Sequence, residues 1–598
     1  NFSPFGRSPV GRQSNPNDQF FRPRRIYLGY DNFKMKEQIG KSIQKAIAKL
    51  YPEHKDIEFS VDHAPDNIGA DFASNVAMVL GKKLGKKPME AAEALKSVIA
   101  RNEETKQSHG IAARPSGARN DIVVETAPPG FLNFKLSANI WQMELKKILK
   151  LGEKYGASHL GKDKKVNVEF VSANPTGPLT VGHGRGAVIG LVVSNVLKNQ
   201  GYKVVREYYY NDGGLQMKSL GISVKARVLD EFNEPLEISG PEGTYDLYQG
   251  TYVKEIAKEF INDKKIKNAD EARSRDVKEY SDFAAKRILD WINQTLDKLG
   301  VHFDSFARES EQDTEKTLKL LEKAGIIYPK EGALWLRNKE GKEDRVLVRK
   351  TGEHTYRLPD IAYHLQKVKK FDKVITVLGA DHISQFPDIS YAVEKLGGNS
   401  GKIQVIINQF VTLDGGKKMS TRKANYVTLD ELLEEVGSDV TKFFMPMSAS
   451  SAHMNFNMDL AKDTSEKNPV YKVQYAHARI ASILQKYDAT TPSSPPPHEG
   501  EIKEGVLELL VLPEEIGLIK EFTKYPELVA EISQTYNVHH LPHYLLGLAE
   551  KFHKFYEIVR VITEDEKLTM ARLALVDAAK IVLANGFRLM GIVPREKM

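Results

Sequence analysis

One stretch, residues 165–211, limits the possible folds of this chain more than any other. Residues 166–171 (VNVEFV) read as a buried strand, and the loop SANPTGPLTVGH follows them. Residues 184–199, rich in Val, Ile and Leu, read as a helix closed by Gly201, and residues 203–210 read as a second strand. Strand, loop, helix and strand in that order form the building block of a doubly wound parallel sheet. Sheet-like segments return at 374–378 and 403–411, with a helix over 386–396 between them. Residues 213–300 read as polar and helical, an insertion rather than sheet.

The rest of the chain falls into parts around that α/β core. A length of 598 residues exceeds what one hydrophobic core serves, so about two to four domains are expected. We read residues 1–34 as a leader, 35–150 as a small α/β domain, 151–466 as the catalytic domain with its insertion at about 213–300, and 467–598 as a helix bundle. In the small domain, helices are expected over 36–50 and 88–101 and strands over 56–61, 122–126 and 131–136, with an exposed loop holding His109–Gly110 and Pro115–Gly117. In the bundle, apolar periodicity predicts helices over 470–486, 506–523, 541–562 and 569–590, interrupted by the Pro-rich surface loop of residues 490–500 (TTPSSPPPHEG).

Composition removes several functions. The chain has no cysteine, which excludes disulfides, thiol catalysis and cysteine zinc sites. No apolar run is long enough to span a bilayer. The net charge of +7 resembles a nucleic-acid signal, but residues 1–34 hold six Lys/Arg against two Asp, leaving the body at only +3. That leader lacks an apolar segment, so it is no secretory signal; it reads as a disordered or vector-derived extension ahead of Met35, with a targeting presequence as the alternative.

Two loops carry the chemistry. In Asn174-Pro175-Thr176-Gly177-Pro178-Leu179-Thr180-Val181-Gly182-His183, prolines and glycine hold an extended connection into a helix. The free N–H groups and dipole of a helix N-terminus attract anions, His183 there can donate to a phosphate oxygen, and Gly182 leaves room for a nucleoside against the backbone. In Asp414-Gly415-Gly416-Lys417-Lys418-Met419-Ser420-Thr421-Arg422-Lys423, a Gly-rich turn delivers four cations within seven residues, able to meet charge on a transferring phosphate.

Together the two loops resemble the HIGH and KMSKS signatures of class I aminoacyl-tRNA synthetases, reading here TVGH and KMSTR. From Met35 to Met598 the chain most resembles the arginyl-tRNA synthetases. The stretches that carry this are FVSANPTGPLTVGHGR (170–185), YNDGGLQ (210–216), GALWLR (332–337), DRVLV (344–348), YRLPDIAYH (356–364), GADH (379–382) and the C-terminal end around 578–592. There are two departures: Thr180 stands where many class I enzymes have a first histidine, and Thr421-Arg422 replaces Lys-Ser. Lys418, Arg422 or Lys423 could supply the second cation. The resemblance implies a Rossmann-type sheet split by an insertion, a tRNA-contacting N-terminal domain in which GADFASN (69–75) matches a family segment, and an anticodon-binding bundle in which Tyr471, Tyr475 or Phe587 could stack on bases.

What the resemblance implies about the reaction is concrete. Arginine is activated with ATP to arginyl-adenylate and transferred to the terminal adenosine of the arginine tRNA, with tRNA required already for the first step. His183, Lys418, Ser420 and Arg422 are the expected catalytic residues. Pro178, Thr180, Gly182, His183, Gly379, Asp381, Lys418, Met419 and Ser420 are expected to hold ATP, an acidic group such as Asp381 suiting a ribose. Asn174, Glu309, Tyr356, Asp360 and His382 are expected to hold arginine, a carboxylate facing the guanidinium fork making a strong bidentate pair. The bland readings are that Asp360 caps a helix over 361–368, Tyr356 packs, and Glu309 is a surface acid. ATP comes as its Mg²⁺ complex, with no tightly bound cofactor and no metal site. A cytoplasmic monomer without membrane contact is expected.

Overall fold

The computed structural model describes residues 34–106, 122–236, 247–339, 341–383, 386–413, 427–490 and 505–598. The expectations placed on the leader, on His109–Gly110 and Pro115–Gly117, on residues 491–500 and on Lys417, Lys418, Met419, Ser420, Thr421, Arg422 and Lys423 lie outside the described residues.

The N-terminal part comprises α1 (Lys34–Leu50), β1 (Val61–His63), β2 (Phe72–Ser74), α2 (Val76–Leu84), α3 (Pro88–Lys106), β3 (Ile122–Ala127), β4 (Phe131–Leu136) and α4 (Ala138–Leu151). Its antiparallel sheet runs β1-β2-β4-β3. Helix α4 buries Trp141, Leu145 and Ile148 at helical spacing. The strand expected over 56–61 is corrected: only Val61 of that stretch is in a strand. Side chains occupy the Ser60 backbone instead, its N–H donating to Asn75 Oδ1 at 2.9 Å and its carbonyl accepting Ser74 Oγ at 2.7 Å.

The central part comprises β5 (Lys165–Glu169), α5 (Val181–Asn199), β6 (Lys203–Tyr210), α6 (Gly214–Glu231), α7 (Thr251–Lys264), α8 (Ala269–Ser274), α9 (Val277–Leu299), β7 (Ser305–Arg308), α10 (Thr314–Lys323), β8 (Ile327–Lys330), β9 (Ala333–Leu336), β10 (Arg345–Val348), α11 (Arg357–Lys370), β11 (Lys373–Gly379), α12 (Phe386–Lys395), β12 (Ile403–Asn408), β13 (Val411–Leu413), α13 (Leu429–Val436), α14 (Ser438–Phe444), β14 (Met454–Phe456) and α15 (Met458–Lys462). Five strands form one sheet in the order β12-β11-β5-β6-β7, every neighbouring pair parallel. The order reverses between β5 and β11, so a crevice opens at their C-terminal ends, where doubly wound sheets bind ligands. Helices α6–α9 form the insertion. Residues 403–411 are not one strand: the chain leaves the sheet after Asn408, and β13 pairs with β14.

The C-terminal part is a bundle of α16 (Pro469–Thr490), α17 (Pro513–Thr535), α18 (His540–Ile558) and α19 (Glu566–Leu589). The helix read over 506–523 begins at Pro513, a residue suited to the first helical turn, and runs on to Thr535. Helix α17 also ties the two ends of the molecule together. Glu527 receives Lys36 at 2.5 Å and His63 at 3.2 Å, and Lys520 pairs with Asp71. No described helix is long and apolar enough to cross a membrane.

Candidate active site

The crevice between β5 and β11 is lined by the N-terminus of α5. Thr180 caps that helix, its Oγ1 accepting the His183 N–H at 3.4 Å while His183 Nδ1 accepts the Thr180 N–H at 3.1 Å. An Nδ1 that accepts carries no proton, so the imidazole proton resides on Nε2. Burial pulls the His183 pKa down to about 4, against a weaker upward pull from Asp381. The ring is therefore neutral, its single N–H at Nε2, and it lies within reach of the Asp381 charge.

Neighbouring expected residues are held closely. Pro178 is buried, so it shapes the loop from beneath. Asn408, at the end of β12, donates to the Gly182 carbonyl at 3.1 Å. At Gly379 the exposed Asp381 carboxylate folds back so near that an added Cβ would lie 2.5 Å from its Oδ1. Asp381 and His382 are exposed and lie 3.5 Å apart, in the short 3₁₀ turn Ala380–His382.

A second, acidic hollow adjoins the same strand ends. Asp360 does not cap its helix. The helix begins at Arg357, and Pro359 sits in its first turn, where the missing N–H costs nothing. Asp360 is half-buried, and desolvation followed by the charges of Glu169 and Glu309 pushes its carboxyl up to about 8, despite help from Tyr209 and Lys367. Glu309, also half-buried, is pushed up to about 7 by desolvation and by Asp212. Neither carboxylate has a cationic partner among the described ion pairs. The buried Tyr209 hydroxyl faces Asp360 without reaching full hydrogen-bond geometry.

The floor beneath is charge-balanced. Lys367 Nζ lies 2.7 Å from Glu169 and 3.6 Å from Glu207, all three side chains nearly inaccessible. Glu207 also accepts Tyr363 Oη at 2.6 Å and Asn167 Nδ2 at 2.9 Å. Burial alone would raise Glu207; Lys367 and these donors outweigh it and hold the group low. Tyr363 in turn stacks on Tyr209, ring centroids 4.4 Å apart.

Asn174 is fixed by the segment that follows β6. Its Oδ1 accepts the Asn211 N–H at 2.9 Å and its Nδ2 donates to Gln216 Oε1 at 2.7 Å, leaving one amide hydrogen. Asp212 accepts the Ser310 N–H at 3.0 Å and Oγ at 2.6 Å, which seats Glu309 beside the hollow. Tyr356 is exposed, and its ring carries Arg357 at 5.0 Å rather than packing on Asp360. Thus the charge of Asp381 acts on His183, and that of Glu309 on Asp360. The sequence reading assigned no role to Glu169, Glu207, Tyr209, Asp212, Tyr363 or Lys367, although Glu169, Asp212 and Tyr363 lie within the stretches VNVEFV, YNDGGLQ and YRLPDIAYH that it singled out.

Comparison with known proteins covers nearly the whole chain. The family model for the catalytic domain of class I (R) tRNA synthetases matches residues 144–446, the DALR anticodon binding domain matches 473–598, and the arginyl tRNA synthetase N-terminal domain matches 37–115. The chain is 40% identical to an arginine–tRNA ligase of Desulfotalea psychrophila over 542 residues, 88% of this chain and 92% of that one. It is 38% identical to that of Salinibacter ruber over 590 residues, 94% of this chain and 100% of the other. In fold it is similar to the solved Thermus thermophilus arginyl-tRNA synthetase, with TM-score 0.70 and 22% identity over 94% of this chain and 100% of that one.

Proposed function

The chain belongs to the arginyl-tRNA synthetases, a class I family, and from that premise we propose how its own residues carry the ligation of arginine to tRNA. The arginine carboxylate attacks the α-phosphorus of ATP, forming an acyl–phosphate bond as the bond to pyrophosphate breaks. A ribose hydroxyl of the terminal adenosine then attacks the activated carbonyl, and AMP leaves.

The observation that carries the residue-level reading is the pair Asp360 and Glu309, half-buried carboxylates beside the crevice whose pKa values are both raised and neither of which forms an ion pair among the described residues. A guanidinium supplies the missing charge and a fork of donors. Its binding leaves the amino acid's head toward Asn174, whose remaining amide hydrogen is available, with Tyr356 and His382 at the margin. Neutral citrulline would leave a carboxylate unpaired, which supports discrimination without editing.

The first step needs no protein nucleophile, only alignment and charge neutralisation. His183 Nε2–H and the α5 N-terminus serve the phosphates, Asp381 the ribose, and Thr180, Gly182 and Gly379 the nucleoside, over the support of Pro178. Lys418 and Arg422 are assigned charge neutralisation, Ser420 a neutral hydroxyl donor to the phosphates, and Met419 nucleotide binding. Mg²⁺ enters as part of the ATP substrate. We also propose that α16 and α18 meet the anticodon: Arg479 lies over the rings of Tyr475 at 4.5 Å and Tyr556 at 5.1 Å, with His553 stacked on Tyr475. Phe587, by contrast, is wholly buried core, and Tyr471 is engaged by Arg595. The N-terminal domain is assigned to the body of the tRNA, and the enzyme to the cytoplasm as a monomer.

The deciding experiment is pyrophosphate–ATP exchange across the twenty amino acids, with and without total tRNA. Exchange with arginine that requires tRNA is expected. Exchange with a different amino acid, or none with arginine plus tRNA, sinks the reading.

A further inference from the structure

Asp430 gathers three donors from a single face of the insertion helix α9. Trp291 Nε1 reaches it at 2.9 Å, Thr295 Oγ1 at 2.6 Å and Lys298 Nζ at 2.7 Å. The spacing of four and three residues places all three on one stripe. Asp430 and Thr295 are buried, so this is a built polar contact rather than a surface pair.

Asp430 is not needed as a cap. Thr428 and Glu431 already form the capping box of α13, with Glu431 accepting the Thr428 N–H at 2.6 Å and Thr428 Oγ1 accepting the Glu431 N–H at 3.1 Å. What Asp430 does is attach the start of α13 to the insertion, and that start touches the nucleotide loop at three points. Thr428 bridges to Thr180 in an isolated β-contact. The Leu429 N–H donates to the Leu179 carbonyl at 2.8 Å. The Leu429 side chain fills the space over Gly184, where an added Cβ would come within 2.6 Å of its Cδ1.

The insertion also grips the other flank of the loop. Tyr252, on α7, is buried, and its hydroxyl donates to the Thr176 carbonyl at 2.6 Å. The neighbouring Gly177 lies so close that a Cβ would stand 3.1 Å from that oxygen. Segment 176–184 is thus held from two sides by groups that lead back to α7 and α9.

We propose that Asp430 and Tyr252 are positioning residues through which the helical insertion sets the nucleotide loop for adenylate formation. This rests on the reading of residues 174–183 as the ATP loop. Neither residue touches a substrate in the proposed site; each acts through the main chain of residues that do.

The test uses the full-length enzyme with tRNA present. Asp430→Ala, which removes three hydrogen bonds, and Tyr252→Phe, which removes one, are expected to weaken binding of radiolabelled ATP in equilibrium dialysis roughly five- to twentyfold. The KM for ATP in arginine-dependent exchange should rise in parallel, with the KM for arginine staying within about twofold, since the acidic hollow is built elsewhere. Asp430→Asn, which keeps an acceptor for Thr295 and Trp291, should fall between. Arg287→Gln, in an exposed pair on the same insertion, should match wild type. If Asp430→Ala does not fold, Thr295→Val and Tyr252→Phe carry the comparison. Unchanged ATP binding in those variants overturns the proposal. So does an equal loss for ATP and arginine together with a lowered melting temperature, the mark of a merely structural role. A wild-type enzyme that binds ATP but shows no exchange with arginine would sink the functional reading and leave the dialysis to judge the clamp.

Discussion

His183 Nδ1 accepts the main-chain N–H of Thr180 at 3.1 Å, and Thr180 Oγ1 accepts the N–H of His183 in return. The threonine that replaces the usual first histidine is therefore employed as a helix cap that fixes the tautomer of the second. His183→Ala should lower the tRNA-dependent exchange rate about 10²–10³-fold, the typical loss of one preorganised donor. With the His183 pKa near 4, its protonated form is absent throughout pH 6–8. A pH–rate profile should show no step from this residue in that range. A step near pH 6.5 that vanishes in His183→Asn would contradict the neutral-donor role.

Asp360 at about 8 and Glu309 at about 7 make arginine binding proton-linked. Both carboxyls are raised in the free protein, so near pH 7 the hollow holds protons that a bound guanidinium expels. The KM for arginine should fall as pH rises from 6 to 8 and level off above. Calorimetry in buffers of different protonation enthalpy should report proton release at pH 7; a pH-independent KM with no release sinks the idea. The stability sign is opposite. Folded pKa values above the unfolded ones mean that the native state holds more protons, so stability declines between about pH 4 and 8. Asp360→Asn should then abolish arginine use while raising the melting temperature at pH 8, with little change at pH 4.

Lys367 is the counter-charge for both Glu169 and Glu207 in a nearly inaccessible site. Removing one member of a buried ion network leaves uncompensated charge, which costs about 3–5 kcal/mol. Lys367→Met should lose that much stability in urea unfolding at pH 7. The loss should shrink toward pH 5, as Glu207, released from the lysine that holds it low, takes up a proton. A loss below about 1 kcal/mol would mean that the charges are solvated after all.

The features legible in the sequence are those with local causes. Segments β5, α5 and β6 follow one another within a single unit, and apolar runs, Pro/Gly punctuation and a closing Gly201 mark each boundary. Strand β7 is not legible: Ser305–Arg308 is four residues at a sheet edge, alternating between half-buried and exposed. The β8–β10 sheet is likewise made of four-residue strands, too short for a period. Helix α4, absent from the sequence reading, does carry an apolar stripe that periodicity can find. The floor of the acidic hollow has no local signal, because Lys367 meets Glu169 across 198 residues and Tyr363 meets Glu207 across 156. Asp360 reads as a possible cap only while Pro359 is treated as a helix boundary, whereas proline is tolerated in the first turn.

Arg479 offers the clearest separation of tRNA binding from amino-acid chemistry. Its guanidinium lies against Tyr475 and Tyr556, with Tyr556 exposed and His553 extending the stack. A planar cation among accessible rings suits an unstacked base, and base–aromatic stacking is worth about 1–3 kcal/mol per base. Arg479→Ala should therefore raise the KM for tRNA in aminoacylation roughly 5- to 100-fold, with more salt sensitivity lost than in a purely aromatic deletion such as Tyr556→Leu. At saturating tRNA, the KM values for arginine and ATP should be those of wild type, because the crevice lies on another part of the chain. A shift in the arginine KM with the tRNA KM unmoved would remove this face from the tRNA surface and mark it as a brace within the bundle.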